Sequence, residues 1–178
     1  MPFVEEERRS EDFEQAVLVH LDAAYNLARW LTRNDQAAED MVQDACLRAF
    51  KAFRGFRGGS ARAWLLTIVR NTCYTRLSKD KTHAPLVEFD EEIGSSGSEA
   101  LDPALLAARS IDGEFLRKAL EQLPPEFREA IVLRELEGLS YQEIAAVAGV
   151  PIGTVMSRLA RARRRLERSL VPPKPEER

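Results

Sequence analysis

The sequence predicts an all-α fold: two small helical domains joined by a flexible acidic linker. Three observations carry this. Apolar residues recur at spacings of three and four from Asp12 to Lys79, and again from Pro103 to Leu166, the period of helices with one buried face. Ala and Leu are plentiful, while Gly and Pro number only 9 each in 178 residues, which favours helix over sheet. Between the two periodic stretches the pattern fails. Pro85 and Gly94 to Ser98 are mixed there with five acids between Glu88 and Glu99, a composition that cannot bury enough apolar surface to order itself. The expected organisation is a helical domain over 1–79, a linker over 80–102 and a second helical domain over 103–178.

The first helix is expected from Asp12 to Arg33, with Phe13, Val17, Leu21, Ala24, Leu27, Ala28 and Leu31 on one face, and Asn34-Asp35 breaking it. A second runs from about Asp35 to Phe53 on Ala38, Met41, Val42, Ala45 and Ala49. The Gly-rich FRGFRGGS follows as a loop. Ser60 caps a third helix that reaches Lys79 and packs Trp64, Leu65, Ile68, Val69 and Leu77. Three helices on short loops close a small bundle. A short helical piece near 87–93 is compatible with the linker. Beyond Pro103, Leu105, Leu106, Ile111, Phe115, Leu116, Ala119, Leu120 and Leu123 fit one or two helices ending before Pro124-Pro125. Another helix runs from Glu126 to Glu137, with Phe127, Leu133 and Leu136 as core, and stops at Gly138.

Charge and composition narrow the function. The formal charge is -3, but unevenly distributed: +1 over 1–79, -6 over 80–112 and +2 over 113–178. No apolar run approaches the ~20 residues that span a bilayer, and the acidic N-terminus MPFVEEERRS is no secretory signal. Cys46 and Cys73 on separate helices make neither a disulfide framework nor a zinc site; they read as small buried apolar groups in a reduced, cytoplasmic setting. His20 and His83 have no ligand partners at metal spacing. No nucleophile–base set, phosphate-binding Gly loop or metal cluster is present, so neither an enzyme nor a cofactor is expected.

The informative stretch is SYQEIAAVAGVPIGTVMSRLARARRRL. Ser140 and Glu143 form a capping box that starts a short helix with Ile144, Ala145 and Ala148 inward. Gly149 supplies a left-handed turn, Val150 plugs the joint, and Pro151 opens the last helix. That is helix-turn-helix grammar. In the last helix Ile152, Val155, Leu159, Ala162 and Leu166 share the inward face. Thr154, Ser157, Arg161, Arg164, Arg165 and Arg168 lie opposite, with Arg158 at the border. Thr154, Ser157 and Arg161, near the helix N-terminus, are placed to read base edges, and the later arginines to meet phosphates. An acidic chain should bind duplex DNA poorly alone, because phosphate neutralisation supplies most non-specific affinity. Either it dimerises or another protein presents it.

These residues resemble a known family. EGLSYQEIAAVAGVPIGTVMSRLARARRRL is similar to the minus-thirty-five-reading domain of extracytoplasmic-function (ECF) sigma factors. AAEDMVQDACLRAFKAF, then FRG, then ARAWLLTIVRNTCYTRL, resembles the family's minus-ten domain. The resemblance implies that Asp40, Gln43, Asp44 and Arg48 meet the clamp helices of core RNA polymerase. It assigns Arg57, Arg62, Asn71, Tyr74 and Thr75, with Arg54 and Phe56 nearby, to the minus-ten element, and Thr154, Ser157, Arg158, Arg161, Arg164 and Arg165 to the minus-thirty-five element. Thr75 departs from the acidic or amide residue the family often has there, which bears on base preference. Trp64 sits at the family's Trp position, and its spacing to Ile68 also places it in the core. The implied partners are core RNA polymerase, promoter DNA and a membrane-associated anti-sigma factor, with no small-molecule substrate. The rival readings are a stand-alone helix-turn-helix regulator, for which no dedicated dimerisation coil is visible, and a sigma-like decoy, which should have lost base-reading residues that are intact here.

Overall fold

The structure, a computed structural model of the chain, describes residues 2–80 and 113–170. Within them every regular element is helical. The expected linker past Asp80, its helical piece near 87–93, His83, and Leu105, Leu106 and Ile111 lie outside the described residues.

Helix α1 spans Pro2–Ala16, a single 3-10 turn follows at Leu18–His20, and α2 spans Leu21–Thr32. The one helix expected from Asp12 to Arg33 is therefore two. Val17 and Val19, both β-branched, fit a helix less readily than their neighbours. The chain tightens there, with the His20 N–H donating to the Val17 carbonyl at 3.0 Å. The tighter turn re-aims α2 so that Ala23, Ala24, Leu27, Ala28 and Leu31 all face the core. Arg33, at φ +57°, ends α2 in the left-handed conformation. The Asn34 side chain then accepts the Ala37 N–H at 2.8 Å to start α3, Asp35–Ala52. Ala24, Ala28, Ala38, Ala45 and Ala49 are fully buried. Such small side chains let helices approach closely, since interaxial distance follows residue size at the contact.

After the turn Phe53–Gly55, Gly58 and Gly59 take φ of +90° and +91°, a conformation side chains with a Cβ resist. Ser60 caps α4, Ala61–Asp80, by accepting the Ala63 N–H at 3.1 Å. Trp64 is half-buried in an aromatic cluster, its ring centroid 5.1 Å from Phe56 and 6.3 Å from Phe53.

In the second half, α5 is Gly113–Gln122 and α6 is Pro125–Ile131, prolonged by one π turn at Val132–Leu136. In that turn the Glu137 N–H reaches back five residues to the Val132 carbonyl at 3.0 Å. The wider turn overturns one expectation. In an α-helix Leu136 would share the face of Leu133, but the extra residue rotates it outward, to 54% exposure, while Leu133 stays buried. Phe115, in the first turn of α5, is also exposed. Gly138, at φ +65°, ends the element.

The helix-turn-helix is α7, Tyr141–Ala148, and α8, Ile152–Leu170. The capping box forms as the sequence predicts. The Ser140 N–H donates to Glu143 Oε2 at 2.8 Å, and the Glu143 N–H to Ser140 Oγ at 3.2 Å. Gly149 takes φ +67°, and the two axes turn by 100° across the joint, within the range of this motif. Val155, Leu159, Ala162 and Leu166 are buried as expected, but Ile152 is 42% exposed. Helical side chains lean over the turn N-terminal to them, and Ile152 is the first residue of α8, so it has no such turn to cover. Among the described residues no single helix is long and apolar enough to cross a membrane.

An eight-residue helix holds little stability of its own, so its cap matters. Ser140→Ala should lower unfolding stability by about 1 kcal/mol at neutral pH, measured by urea denaturation. The Ser140 N–H, then its hydroxyl, hold the Glu143 carboxyl below its ordinary 4.5. A depressed acid stabilises above its unfolded-state value and loses that contribution as pH falls through the folded-state value. The gap between wild type and S140A should therefore narrow on acidification.

Candidate nucleic-acid interface

The exposed side of α8 carries a row of cations. Arg161, Arg164, Arg165 and Arg168 are exposed, Arg158 and Thr154 are half-buried, and Ser157 is exposed. The Ser157 hydroxyl donates to the Thr154 carbonyl at 3.0 Å, so its oxygen keeps lone pairs for an outside donor. The Arg165 guanidinium lies 5.3 Å from the centroid of the Phe127 ring, which orients it. Arg163 belongs to the interior. Its side chain is 9% exposed and Nη2 reaches Glu135 Oε1 at 2.8 Å. The helix thus splits its arginines between structure and display: Arg163 holds α8 against the π turn, and Arg161, Arg164, Arg165 and Arg168 face outward. All six residues expected for duplex reading therefore lie on one helix, at or beside its displayed face.

On α3 the four residues expected to meet polymerase lie within two to three turns of one another. Asp40, Gln43 and Arg48 are exposed, and Asp44 is half-buried. Arg48 Nη2 pairs with Asp44 Oδ2 at 2.9 Å. Leu47 stands beside them at 57% exposure and lines an open groove with Phe13, Leu18, Gln43, Cys46 and Phe50. The sequence reading passed over Leu47. Its signal was available: a large apolar residue off the apolar stripe of an amphipathic helix marks a contact surface.

The residues expected at the minus-ten element separate into two groups. Arg57, on the Gly-rich loop, and Asn71 and Thr75, on α4, are exposed. Arg62 and Tyr74 instead turn toward the second half of the chain, joined there by Arg70. Arg62 pairs with Glu137, whose other oxygen accepts from Asn26 Nδ2 at 3.2 Å. Arg70 pairs with Glu129, stacks 4.4 Å over the Tyr74 ring, and Tyr74 donates its hydroxyl to Glu129 Oε2 at 3.2 Å. Glu129 is 1% exposed and Glu137 8%. Beside them Arg128, buried, donates to the Trp30 carbonyl at 2.7 Å and the Leu123 carbonyl at 2.8 Å.

Burial dominates the electrostatics of this seam. It raises the Glu129 carboxyl above its usual range, against the pull of Arg70 and the Tyr74 hydroxyl. It raises the Tyr74 hydroxyl, with Glu129 adding to the effect. It lowers Arg128 to about 10. Sequence reasoning missed Glu129, Glu137 and Arg70, because an acid inside an apolar helix pattern shows only that a partner exists, not which one. Among the described residues no group of three or more His, Cys, Asp or Glu could hold a metal ion.

The two halves find separate matches. Residues 16–82 match the family described as Sigma-70 region 2, and residues 116–166 the one described as Sigma-70, region 4. The fold and these two matches together define an all-helical factor of the sigma-70 class with a helix-turn-helix in its second half. The chain is 35% identical over 154 residues to the ECF RNA polymerase sigma factor SigE of Mycolicibacterium smegmatis, covering 86% of this chain and 60% of that one. It is 37% identical over 140 residues to the ECF RNA polymerase sigma-E factor of Escherichia coli K12, covering 75% and 73%. The chain belongs to the ECF sigma factor family. It spans 60% of the length of the M. smegmatis relative. Among solved structures, RpoE of Bartonella quintana in complex with the anti-sigma factor NepR is similar at TM-score 0.70 and 33% identity, over 90% of this chain and 97% of that one. CnrH in complex with the cytosolic domain of CnrY is similar at TM-score 0.62 and 28% identity, over 90% and 88%.

Burial also sorts the thiols. Cys73 is fully buried and its thiol is pushed up to about 12, by burial first and Glu129 second. Cys46 is half-buried at the α3 groove. Iodoacetamide at pH 8 should label Cys46 in the native protein and Cys73 only after denaturation, read by mass spectrometry.

Proposed function

We propose that this chain is a dissociable promoter-specificity subunit of bacterial RNA polymerase. The observation that carries this reading is one chain with two separate exposed surfaces: the cationic face of α8 set by a capped helix-turn-helix, and the acidic and apolar face of α3 in the half that matches region 2. Residues 1–79 form the polymerase-binding and minus-ten domain, 80–102 the linker, and 103–178 the minus-thirty-five domain. Asp40, Gln43, Asp44 and Arg48 dock on the core enzyme. Thr154, Ser157, Arg158 and Arg161 read bases of the minus-thirty-five element, while Arg164 and Arg165 hold phosphates. Arg57, Arg62, Asn71, Tyr74 and Thr75 take the minus-ten strand as it separates, single strands being bound by basic grooves with stacking groups. The polymerase performs the chemistry, so the chain itself is no enzyme, and it works in the cytoplasm.

The reading also accounts for an acidic protein that recognises DNA. Four exposed arginines, Arg161, Arg164, Arg165 and Arg168, are grouped on one helix, and the polymerase contributes the rest of the electrostatic grip. Regulation by an anti-sigma factor, membrane-associated, fits the same picture; proteins of similar fold are bound to the anti-sigma factor NepR in one structure and to the cytosolic domain of CnrY in another.

Run-off transcription with purified core polymerase tests the proposal. Promoter-dependent transcript should require this chain. Arg161→Ala should cost about 1–3 kcal/mol of promoter binding and relax preference at one base position, whereas R164A should weaken binding to all sequences alike. D40A/D44A should lose core binding while leaving the helix content intact by circular dichroism. Strong duplex footprints without polymerase, and no transcript with it, would overturn the assignment in favour of a stand-alone regulator.

A further inference from the structure

Two rows of side chains run side by side along the displayed face of α8. Residues four apart on a helix stand nearly in line, and neighbouring lines form parallel ridges. One row is Gly153, Ser157 and Arg161, all exposed, and it holds hydrogen-bonding groups already assigned to base edges. The other is Ile152, Met156 and Ala160, and it is apolar throughout. Ile152 is 42% exposed and Met156 48%, so this row meets solvent at the start of the helix. Arg164 and Arg165 then continue the two rows as exposed cations. The apolar row therefore leads to a group that suits phosphate, not to a core contact. Gly153 adds an independent observation. It lies within α8, where glycine is less favourable than alanine, yet a Cβ at this position would meet no atom within 4 Å. The fold itself does not require a bare backbone there. A missing side chain lets an outside surface approach the helix closely, at the turn that carries Met156.

We propose that Met156 is a further specificity-determining residue: it packs against the C5-methyl group of a thymine in the major groove of the minus-thirty-five duplex. This rests on the function proposed above and deepens it, by naming one chemical feature of the DNA that the helix selects. On its major-groove edge a T·A pair presents the thymine O4 acceptor and methyl group beside the adenine N6 donor and N7 acceptor. Hydrogen-bonding side chains satisfy the polar groups, whereas the methyl group needs an apolar neighbour. Two parallel rows, one polar and one apolar, match such an edge. A thioether suits the task, since it is unbranched and polarisable and adapts to the surface it meets. Met156 and Arg161 are five residues apart, a rise of about 7.5 Å, so they address different base pairs. The other occupant of an exposed apolar ridge, a protein surface, accounts less well for its place. Ser157 and Arg161 stand directly beside this ridge, and Arg164 closes it.

The test uses the full-length chain reconstituted with core RNA polymerase. Duplexes with a randomised minus-thirty-five region are selected by this holoenzyme. The selected site is then resynthesised with uracil in place of each thymine in turn, on both strands. Uracil keeps the pairing and the O4 acceptor and lacks only the methyl group. One thymine should prove sensitive, its replacement weakening binding about fourfold, the equivalent of one buried methyl group at about 0.8 kcal/mol. Met156→Ala should bind the thymine and uracil duplexes alike, while M156L, which keeps an apolar side chain, should restore the discrimination. R161A should keep the uracil effect, at a position other than the one it relaxes. Loss of stability does not imitate this pattern, because misfolding weakens binding to both duplexes equally. A selected site without thymine, or a uracil effect that persists in M156A, overturns the proposal. Indifference to uracil in the wild-type holoenzyme overturns it too, and if M156A then assembles poorly with core polymerase the ridge is a protein contact. Failure of the parent function is distinguishable: the chain and core polymerase would then select no common sequence and give no promoter-dependent run-off, and the methyl contact falls with it. Failure of methyl reading alone leaves selection and run-off intact.

Discussion

A carboxylate that is almost wholly removed from water must find a cation, and for Glu129 the cation belongs to the other half of the chain. That constraint sets the relation between the two halves. Arg70 satisfies one oxygen and the Tyr74 hydroxyl the other, while Arg70 stacks on the tyrosine ring. Each group limits the rotamers of the others. Glu137 repeats the arrangement with Arg62 and Asn26. Apolar contact alone would let the halves slide; paired charges in a dry seam admit few alternative registers, because any slip strands a charge.

The same accounting explains how an acidic protein keeps a cationic tool. Arginines 62, 70, 128 and 163 are committed to internal partners, each ending on a carboxylate or a backbone carbonyl. Arg161, Arg164, Arg165 and Arg168 face outward together within eight residues of α8, while other exposed arginines, such as Arg54, Arg57 and Arg117, are scattered over the remaining helices and loops. The surface potential along α8 is therefore set not by the net charge of -3 but by the local row on that helix, and a Debye length of about 10 Å at 0.1 M salt keeps that row from being averaged with the acids elsewhere. Membership in the ECF sigma family adds the wider context in which such a locally charged, globally acidic chain works.

Much of this was legible in the sequence. The capping box at Ser140, the left-handed Gly149, the Asn34 break and most of the inward faces of α2, α3 and α8 follow from local spacing and the chemistry of single residues, and they appear in the structure where the pattern puts them, except that Leu21, expected inward, is exposed at the first position of α2. So does the outward row of Arg161, Arg164 and Arg165. The misses share a cause. The split at Val17, the outward turn of Leu136 and the exposure of Ile152 are matters of phase and helix ends, to which periodicity counts are blind. The seam was illegible for a different reason. Glu129 and Arg70 are separated by 59 positions, and no local rule links a buried acid to a partner so distant. Leu47 is the intermediate case: its exposure was detectable as a violation of the stripe, but what it faces was not.

The π turn at Val132–Leu136 shifts the phase of the residues that follow it. Each residue added to a helix advances the next side chain by about 100° around the axis, so a turn wide by one residue works as a frame shift within the element. Glu135, inside it, reaches Arg163 in its own domain, and Glu137, just beyond it, reaches Arg62 across the seam. Two acids two positions apart thereby serve opposite sides of the molecule. The length of this segment is consequently as constrained as its composition: one residue fewer would restore an ordinary helix and swing Glu137 away from its arginine, so single-residue insertions and deletions here should be tolerated far less than substitutions at the exposed Leu136.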